Sequence, residues 1–273
     1  MISFVCWKWR TPGSARVFLA DHVNVLRAMI KRCYSAPFRF ICITDNPCGL
    51  DKKIEAIAMP VRFDLQSPQG VRFPSCYARL WNFSREAAGV LGERIFQVDI
   101  DVVITADLAP LVDRFQSFDF VGWSDKRFQR NKIAGGAYLL RTGSMAHVWE
   151  EFDPTLSPAA ALAAGHLGSD QAWMSYRLAS HASPSAESKV LSAEARNSEL
   201  RTQDSGLRTQ DSPTQHSVGL WTGGDGLMKI NWTQARARTA PRGARMVFTS
   251  GAKPPWSFEQ RRRYPWIKDH WKC

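Results

Sequence analysis

No apolar run in the 273-residue chain approaches the roughly 20 residues a membrane-spanning helix requires. The six cysteines, Cys6, Cys33, Cys42, Cys48, Cys76 and Cys273, are scattered and include no C-x-x-C pair. They read as reduced thiols, not as a disulfide or zinc framework, and a reducing cytoplasm fits them best. No basic segment precedes the apolar opening, and Lys8 and Arg10 interrupt it too early for a signal peptide. Acidic residues are in the minority, 25 against 36 Lys and Arg, for a net charge of +11. That excess permits attraction to nucleic acid, anionic lipid or a nucleotide diphosphate without choosing among them. The basic residues are dispersed, and no nucleic-acid-binding motif accompanies them.

What is present is an ordinary globular mixture, 44% hydrophobic and 22% charged, able to bury a sizeable core. Residues 2–7 alternate and are β-prone, so they read as a first strand. Phe18, His22, Val25, Leu26, Met29 and Cys33 then recur at helical spacing. Pro37 closes that helix, and strands are expected at 38–43 and 54–59. Strand, helix, strand at this spacing is a βαβ unit and argues for a parallel sheet. After Pro74, Leu80, Phe83, Ala87 and Leu91 share one helical stripe. Residues 118–123 and 133–141 read as strands; 108–115, 145–152 and the stretch from Asp170 read as helices. From about 182 the composition turns to Ser, Ala, Glu, Gln and Arg, with two copies of Leu-Arg-Thr-Gln-Asp-Ser starting at Leu200 and Leu207. Residues 183–216 are therefore expected to be a disordered insertion within a single domain spanning 1–273.

Residues 95–104 are a short, β-branched, mostly apolar run whose only charges are Asp99 and Asp101, and they read as one buried strand. Residues two apart in a strand face the same side. Two carboxylates side by side repel each other and are costly to bury. A divalent cation, Mn²⁺ or Mg²⁺, would remove that cost and take them as hard oxygen ligands. The pair sits at the C-terminal end of its strand, where open α/β sheets place their ligands.

Three later segments could share such a site. Gly135 and Gly136 would let backbone approach a ligand closely. Gly168-Ser169-Asp170-Gln171 places a carboxylate and an amide at a helix start, and also reads as a plain N-cap. Gly251-Ala252-Lys253-Pro254-Pro255-Trp256 offers a cation to phosphate oxygens. Of the eleven tryptophans, Trp123, Trp221 and Trp256 fall in expected loops and are candidates for stacking on a sugar.

Taken in order, these segments resemble the GT-A glycosyltransferases, most nearly family 8 and its bacterial relatives. The likeness rests on residues 40–45, Tyr77-Ala78-Arg79-Leu80, Asp99-Ile100-Asp101, the Gly135-Gly136 segment, Ser169-Asp170-Gln171 and the Gly251 to Trp256 close. It spans 1–180 and 218–272. The fold it implies is α/β: a Rossmann-like mixed, mostly parallel sheet flanked by helices. The activity it implies is metal-dependent transfer of a hexose-type sugar from a nucleotide-sugar, a UDP-sugar foremost, to a glycan or lipid-linked glycan.

The resemblance also assigns roles. It puts the nucleotide near Cys6, Trp7, Thr44 and Asp45, and Arg79 near the donor diphosphate or sugar. It gives Asp99 to ribose or metal and Asp101 to metal. It turns Asp170 and Gln171 toward the reacting carbon and Lys253 toward the departing diphosphate. Family 8 members usually carry a histidine as third metal ligand where this chain has Thr249. A threonine hydroxyl is a weaker, neutral ligand, so either a looser metal or a shell completed by water or another residue is expected. The basic, aromatic tail, Arg261 to Lys272, suggests peripheral membrane contact. Two other readings of the chain are a basic nucleic-acid-binding protein and a metal-dependent nucleotidyltransferase. The first leaves the carboxylates at a phosphate-binding surface without purpose; the second lacks a Gly-rich basic loop near the N-terminus.

Overall fold

The computed structural model describes residues 1–10, 17–63, 65, 66, 68, 75–124, 133–179, 217–221, 223–230, 237–249 and 254–273. The insertion expected at 183–216, and Lys253, lie outside these residues.

β1 (Ile2–Lys8) is buried along its whole length. A strand with no solvated face belongs in the middle of a sheet covered on both sides. It pairs in parallel with β2 (Phe38–Thr44) on one side and β4 (Arg94–Val98) on the other. β3 (Glu55–Ala58) extends the sheet beyond β2, also in parallel. Past β4 come β7 (Ala134–Arg141), β6 (Phe120–Trp123) and β8 (Val218–Trp221), giving the order β3-β2-β1-β4-β7-β6-β8. Only β7 runs against its neighbours. The mixed, mostly parallel sheet expected from the βαβ pattern is thus present.

The strands alternate between two cores. Ile2, Phe4 and Cys6 of β1, with Phe40, Cys42, Phe96 and Val98, face α1 (Ala20–Cys33). Val5 and Trp7, with Ile41, Ile43 and Ile95, face the 3-10 helix Tyr77–Phe83, α2 (Arg85–Leu91) and the later helices. The expected single helix after Pro74 is two elements. Ser84 breaks it, its hydroxyl accepting from the Ala87 N–H and so capping α2.

The expected strand at 95–104 is also two elements, and this changes the geometry of the carboxylates. β4 ends at Val98 and β5 (Val102–Ile104) belongs to a second, three-stranded sheet, β5-β10-β9. There β10 (Met246–Thr249) lies antiparallel to β5 and parallel to β9 (Leu227–Ile230). Asp99 through Asp101 form the crossing between sheets, so the two-residue period does not govern them. Ile100, buried between them, anchors the turn in the α1-side core.

α3 (Ala109–Val112), α4 (His147–Glu150), α5 (Ser157–Ala163) and α6 (Asp170–Ala179) complete the middle of the chain. α7 (Phe258–Arg263) and α8 (Ile267–His270) close it. Tyr264, Trp266 and Trp271 of the tail are buried in the α1-side core. Trp256 stacks on His22 of α1, with ring centroids 3.7 Å apart, and Arg32 donates to the His270 carbonyl at 2.7 Å.

His22 is neutral by construction. Its Nδ1 accepts from the Leu19 N–H at 3.1 Å, and burial holds its pKa near 4 instead of 6.5. The unfolded chain therefore takes up a proton at a higher pH than the folded one. The stability tied to His22 is complete above pH 6.5 and is lost as pH falls toward 4. His22→Gln is expected to reduce the loss of thermal midpoint between pH 7 and pH 4.5; an unchanged difference would clear His22 of this role.

Candidate functional site

The first four strands, β1 to β4, deliver their C-terminal ends to one edge of the large sheet. Lys8, Thr44 and Ala58 lie there, and the Asp99 crossing follows β4 at the same edge. Asp99 closes the β4–β7 ladder, its N–H donating to the Gly136 carbonyl at 2.8 Å. This fixes the first carboxylate beside the glycine strand.

Arg79 is the hub. It lies in the 3-10 helix Tyr77–Phe83, with one guanidinium nitrogen bonded to Asp99 and another 2.8 Å from Asp170 at the start of α6. Residues three apart eclipse in a 3-10 helix. Arg79 and Asn82 thus share an edge, and Asn82 pins that edge to the sheet. The Trp7 indole donates to Asn82 Oδ1 at 3.1 Å. Asn82 Nδ2 lies 2.9 Å from both Gln97 Oε1 and the Tyr138 hydroxyl. Three strands therefore set where the arginine stands.

The two glycines are needed for closeness. A Cβ on Gly135 would lie 3.3 Å from each of Arg79 Nη2, Asp170 Oδ2 and the Gln171 Cβ. One on Gly136 would lie 2.9 Å from the Phe248 ring and 3.3 Å from Asp99 Oδ2. Phe248 cannot readily move away, since its ring stacks on Trp123 at 4.3 Å. Gln171 is tethered to the same strand, Oε1 accepting from the Gly135 N–H at 3.4 Å and Nε2 donating to the Leu167 carbonyl at 3.1 Å.

The electrostatics follow from burial. Asp170 is 2% exposed, and desolvation raises its pKa despite Arg79 beside it. Burial also opposes the charge on Arg79, but Asp170 and Asp99 outweigh it and hold the guanidinium ionised. Burial pushes the nearby Cys76 thiol up to about 12, so it stays protonated and is no nucleophile.

The structure brings Arg79, Asp99, Gly135, Gly136, Asp170 and Gln171 together. Cys6 and Trp7 reach the same edge, but their side chains pack in the two cores and leave only backbone to a ligand. Thr44 turns its hydroxyl back onto the Asn46 backbone. Asp45 accepts from the Arg10 N–H at 3.2 Å. Trp123 and Trp221 are not loop residues. They face each other in register on β6 and β8, buried, and are not available for stacking on a sugar.

For a metal, Asp99 and Asp101 flank the crossing. The β5–β10 register ends with Val102 paired to Phe248, and Asp101 and Thr249 are the next residues of the two segments. Thr249 is buried, and its Oγ1 has no hydrogen-bond partner among the described residues. No cluster of three His, Cys, Asp or Glu exists among the described residues. Two carboxylates and an orphaned hydroxyl are a hard, all-oxygen donor set. It suits Mg²⁺ or Mn²⁺ and not a soft-ligand zinc site.

By sequence, the chain matches no protein-family profile and no curated protein. By structure, it is similar to the galactosyltransferase LgtC solved with donor and acceptor sugar analogues. The TM-score is 0.51 at 12% identity over 99% of this chain and 97% of that one. The fold is that of a GT-A glycosyltransferase. A second structure, of an LgtC active-site mutant, aligns with a TM-score of 0.47 at 12% identity, covering 98% and 95%. Mouse xyloside xylosyltransferase 1 in its apo form aligns at 0.39 and 11%, covering 65% and 81%.

In this GT-A frame the residue that sequence reading passed over is Asn82. The signal was available: a polar residue inside an apolar stripe, three places after Arg79. Asn82→Ala would leave the Trp7 N–H and the Gln97 and Tyr138 oxygens without their partner. The expected cost is about 2–4 kcal/mol in urea denaturation. A loss under about 1 kcal/mol would mean the network rearranges freely.

Proposed function

We propose that the chain transfers a hexose-type sugar from a nucleotide-sugar, a UDP-sugar foremost, to a glycan or lipid-linked glycan in a metal-dependent reaction. The observation that supports this most is the Arg79 bridge between Asp99 and Asp170, packed under two glycines at the ligand-bearing edge of a GT-A sheet. It joins a cation suited to phosphate, carboxylates suited to a hard metal, and backbone open to a sugar ring.

Each group has a task in that reading. The carboxylates of Asp99 and Asp101 and the Thr249 hydroxyl would hold Mn²⁺ or Mg²⁺, which when bound supplies positive charge to the departing diphosphate. Arg79 adds a fixed charge on the same side. Gln171, tied to Gly135 and Leu167, holds its amide steady toward the reacting carbon, where positive charge develops as the glycosidic bond breaks. Asp170, buried and engaged by Arg79, positions the guanidinium and adds negative potential beside the reacting carbon.

Membrane contact, in this reading, does not use the tail's large aromatics, because Tyr264, Trp266 and Trp271 are core residues. It would run through Phe258, 75% exposed, with Arg261 and Arg262 on the same short helix. Phe258→Ser should lower co-sedimentation with vesicles containing phosphatidylglycerol; equal pelleting of both proteins would remove this surface.

The transfer reading is tested by thermal shift with UDP, GDP, ADP and dTDP, with and without Mn²⁺. One nucleotide is expected to stabilise the protein only with metal, by about 2.7 kcal/mol at a hundredfold excess over Kd. Asp101→Ala is expected to abolish that gain and donor hydrolysis together. A gain that persists in the variant would sink the site assignment.

A further inference from the structure

Lys8 is an anomaly. It is the last residue of β1, level with Thr44 on β2, and only 7% exposed. Alternation puts its side chain on the Cys6 side of the sheet, and Lys8 and Asp99 both act electrostatically on the Cys6 thiol. Among the described residues its ammonium has neither an ion-pair nor a hydrogen-bond partner, and its nitrogen is not among the fully buried unsatisfied atoms, so it reaches solvent. Arg79 engages Asp99 and Asp170, and Asp45 accepts from the Arg10 backbone and lies 4.0 Å from Arg62.

An ammonium with no counter-ion and only a narrow opening to solvent gains nothing from the fold at this place. It would gain from an anion arriving from outside. At the C-terminal edge of parallel strands an open α/β sheet receives nucleotides. A lysine is a compact point charge that meets phosphate oxygens without needing the two-pronged geometry of arginine. Thr44, beside it, has its hydroxyl turned inward to Asn46 and offers no competing charge.

We propose that Lys8 is a phosphate-binding residue whose ammonium pairs with the diphosphate of the nucleotide donor at the β1–β2 edge. This rests on the transfer reading above and adds to it a cation from the first strand. That cation is independent of Lys253 near the other end of the chain. The ammonium has no counter-ion among the described residues, so the ligand can supply one.

The test compares wild type with Lys8→Met and Lys8→Arg. Ligand-free thermal midpoints are measured first. Binding of pyrophosphate, of UDP, GDP, ADP and dTDP, and of the matching nucleosides follows by calorimetry, with and without Mn²⁺. Lys8→Met is expected to melt close to the wild-type temperature, because the ammonium has no ion pair or hydrogen bond to lose among the described residues. It should bind pyrophosphate and the preferred nucleoside diphosphate roughly tenfold to a hundredfold more weakly, the range of a charge-assisted hydrogen bond. Nucleoside affinity should not change, and Lys8→Arg should recover part of the loss. Equal diphosphate affinity in Lys8→Met and wild type overturns the assignment. So does an equal loss of nucleoside affinity, or a sharply lower melting temperature, either of which would make Lys8 a structural residue. A wild-type protein that binds none of the probes overturns the transfer reading itself, and this inference with it.

Discussion

One arginine between two carboxylates holds the edge of this protein together. Arg79, Asp99 and Asp170 come from a 3-10 helix, the end of β4 and the start of α6, and no two of them are near in sequence. Arg79 and Asp170 are buried and Asp99 is 30% exposed, and the buried pair is not a source of net stability by itself, since desolvation consumes much of the attraction. Their effect is on specificity. Taking away the guanidinium would leave two carboxylates facing each other in a poor dielectric, so each element must stand where the arginine can reach both.

That requirement propagates outward. The arginine stands where it does because Asn82, one eclipsed step along the same 3-10 helix, is bonded to partners on β1, β4 and β7. The carboxylates can come close because the strand between them carries two glycines. β4 must stop at Val98 so that the chain can cross to the second sheet, where β5 pairs with β10 as far as Val102 and Phe248, the residues next to Asp101 and Thr249. Thr249 at this edge has a buried hydroxyl with no hydrogen-bond partner, and Lys8 has no counter-ion, among the described residues.

Much of this was legible in the residues. The βαβ start, the glycine segment and the carboxylates appeared in the right order because each leaves a local mark: an alternation, a missing side chain, a charge inside an apolar run. Asp99 and Asp101 were placed correctly at a strand end but given the wrong local geometry. A continuous apolar run reads as one strand when nothing in it shows that the two halves pair with different sheets. Trp123 and Trp221 were misplaced in loops for the same reason, since their register with each other joins segments far apart in the chain. The tail's aromatics looked like a surface for lipid because a short basic segment does not show that its rings are needed to cover α1.

The sequence by itself determined the class of fold and the cast of chemical groups, because hydrophobic period and residue type act locally. Only the tertiary structure decided which groups meet. Arg79 pairs with Asp99 and Asp170, and Asn82 with Gln97 and Tyr138, across separations that no periodicity encodes. It also decided that Lys8 would be buried without a partner, a fact about what surrounds a side chain. The physical reason is common to all of them: burial and pairing of charge depend on neighbours in space, and those are set only when the sheets and helices close around one another.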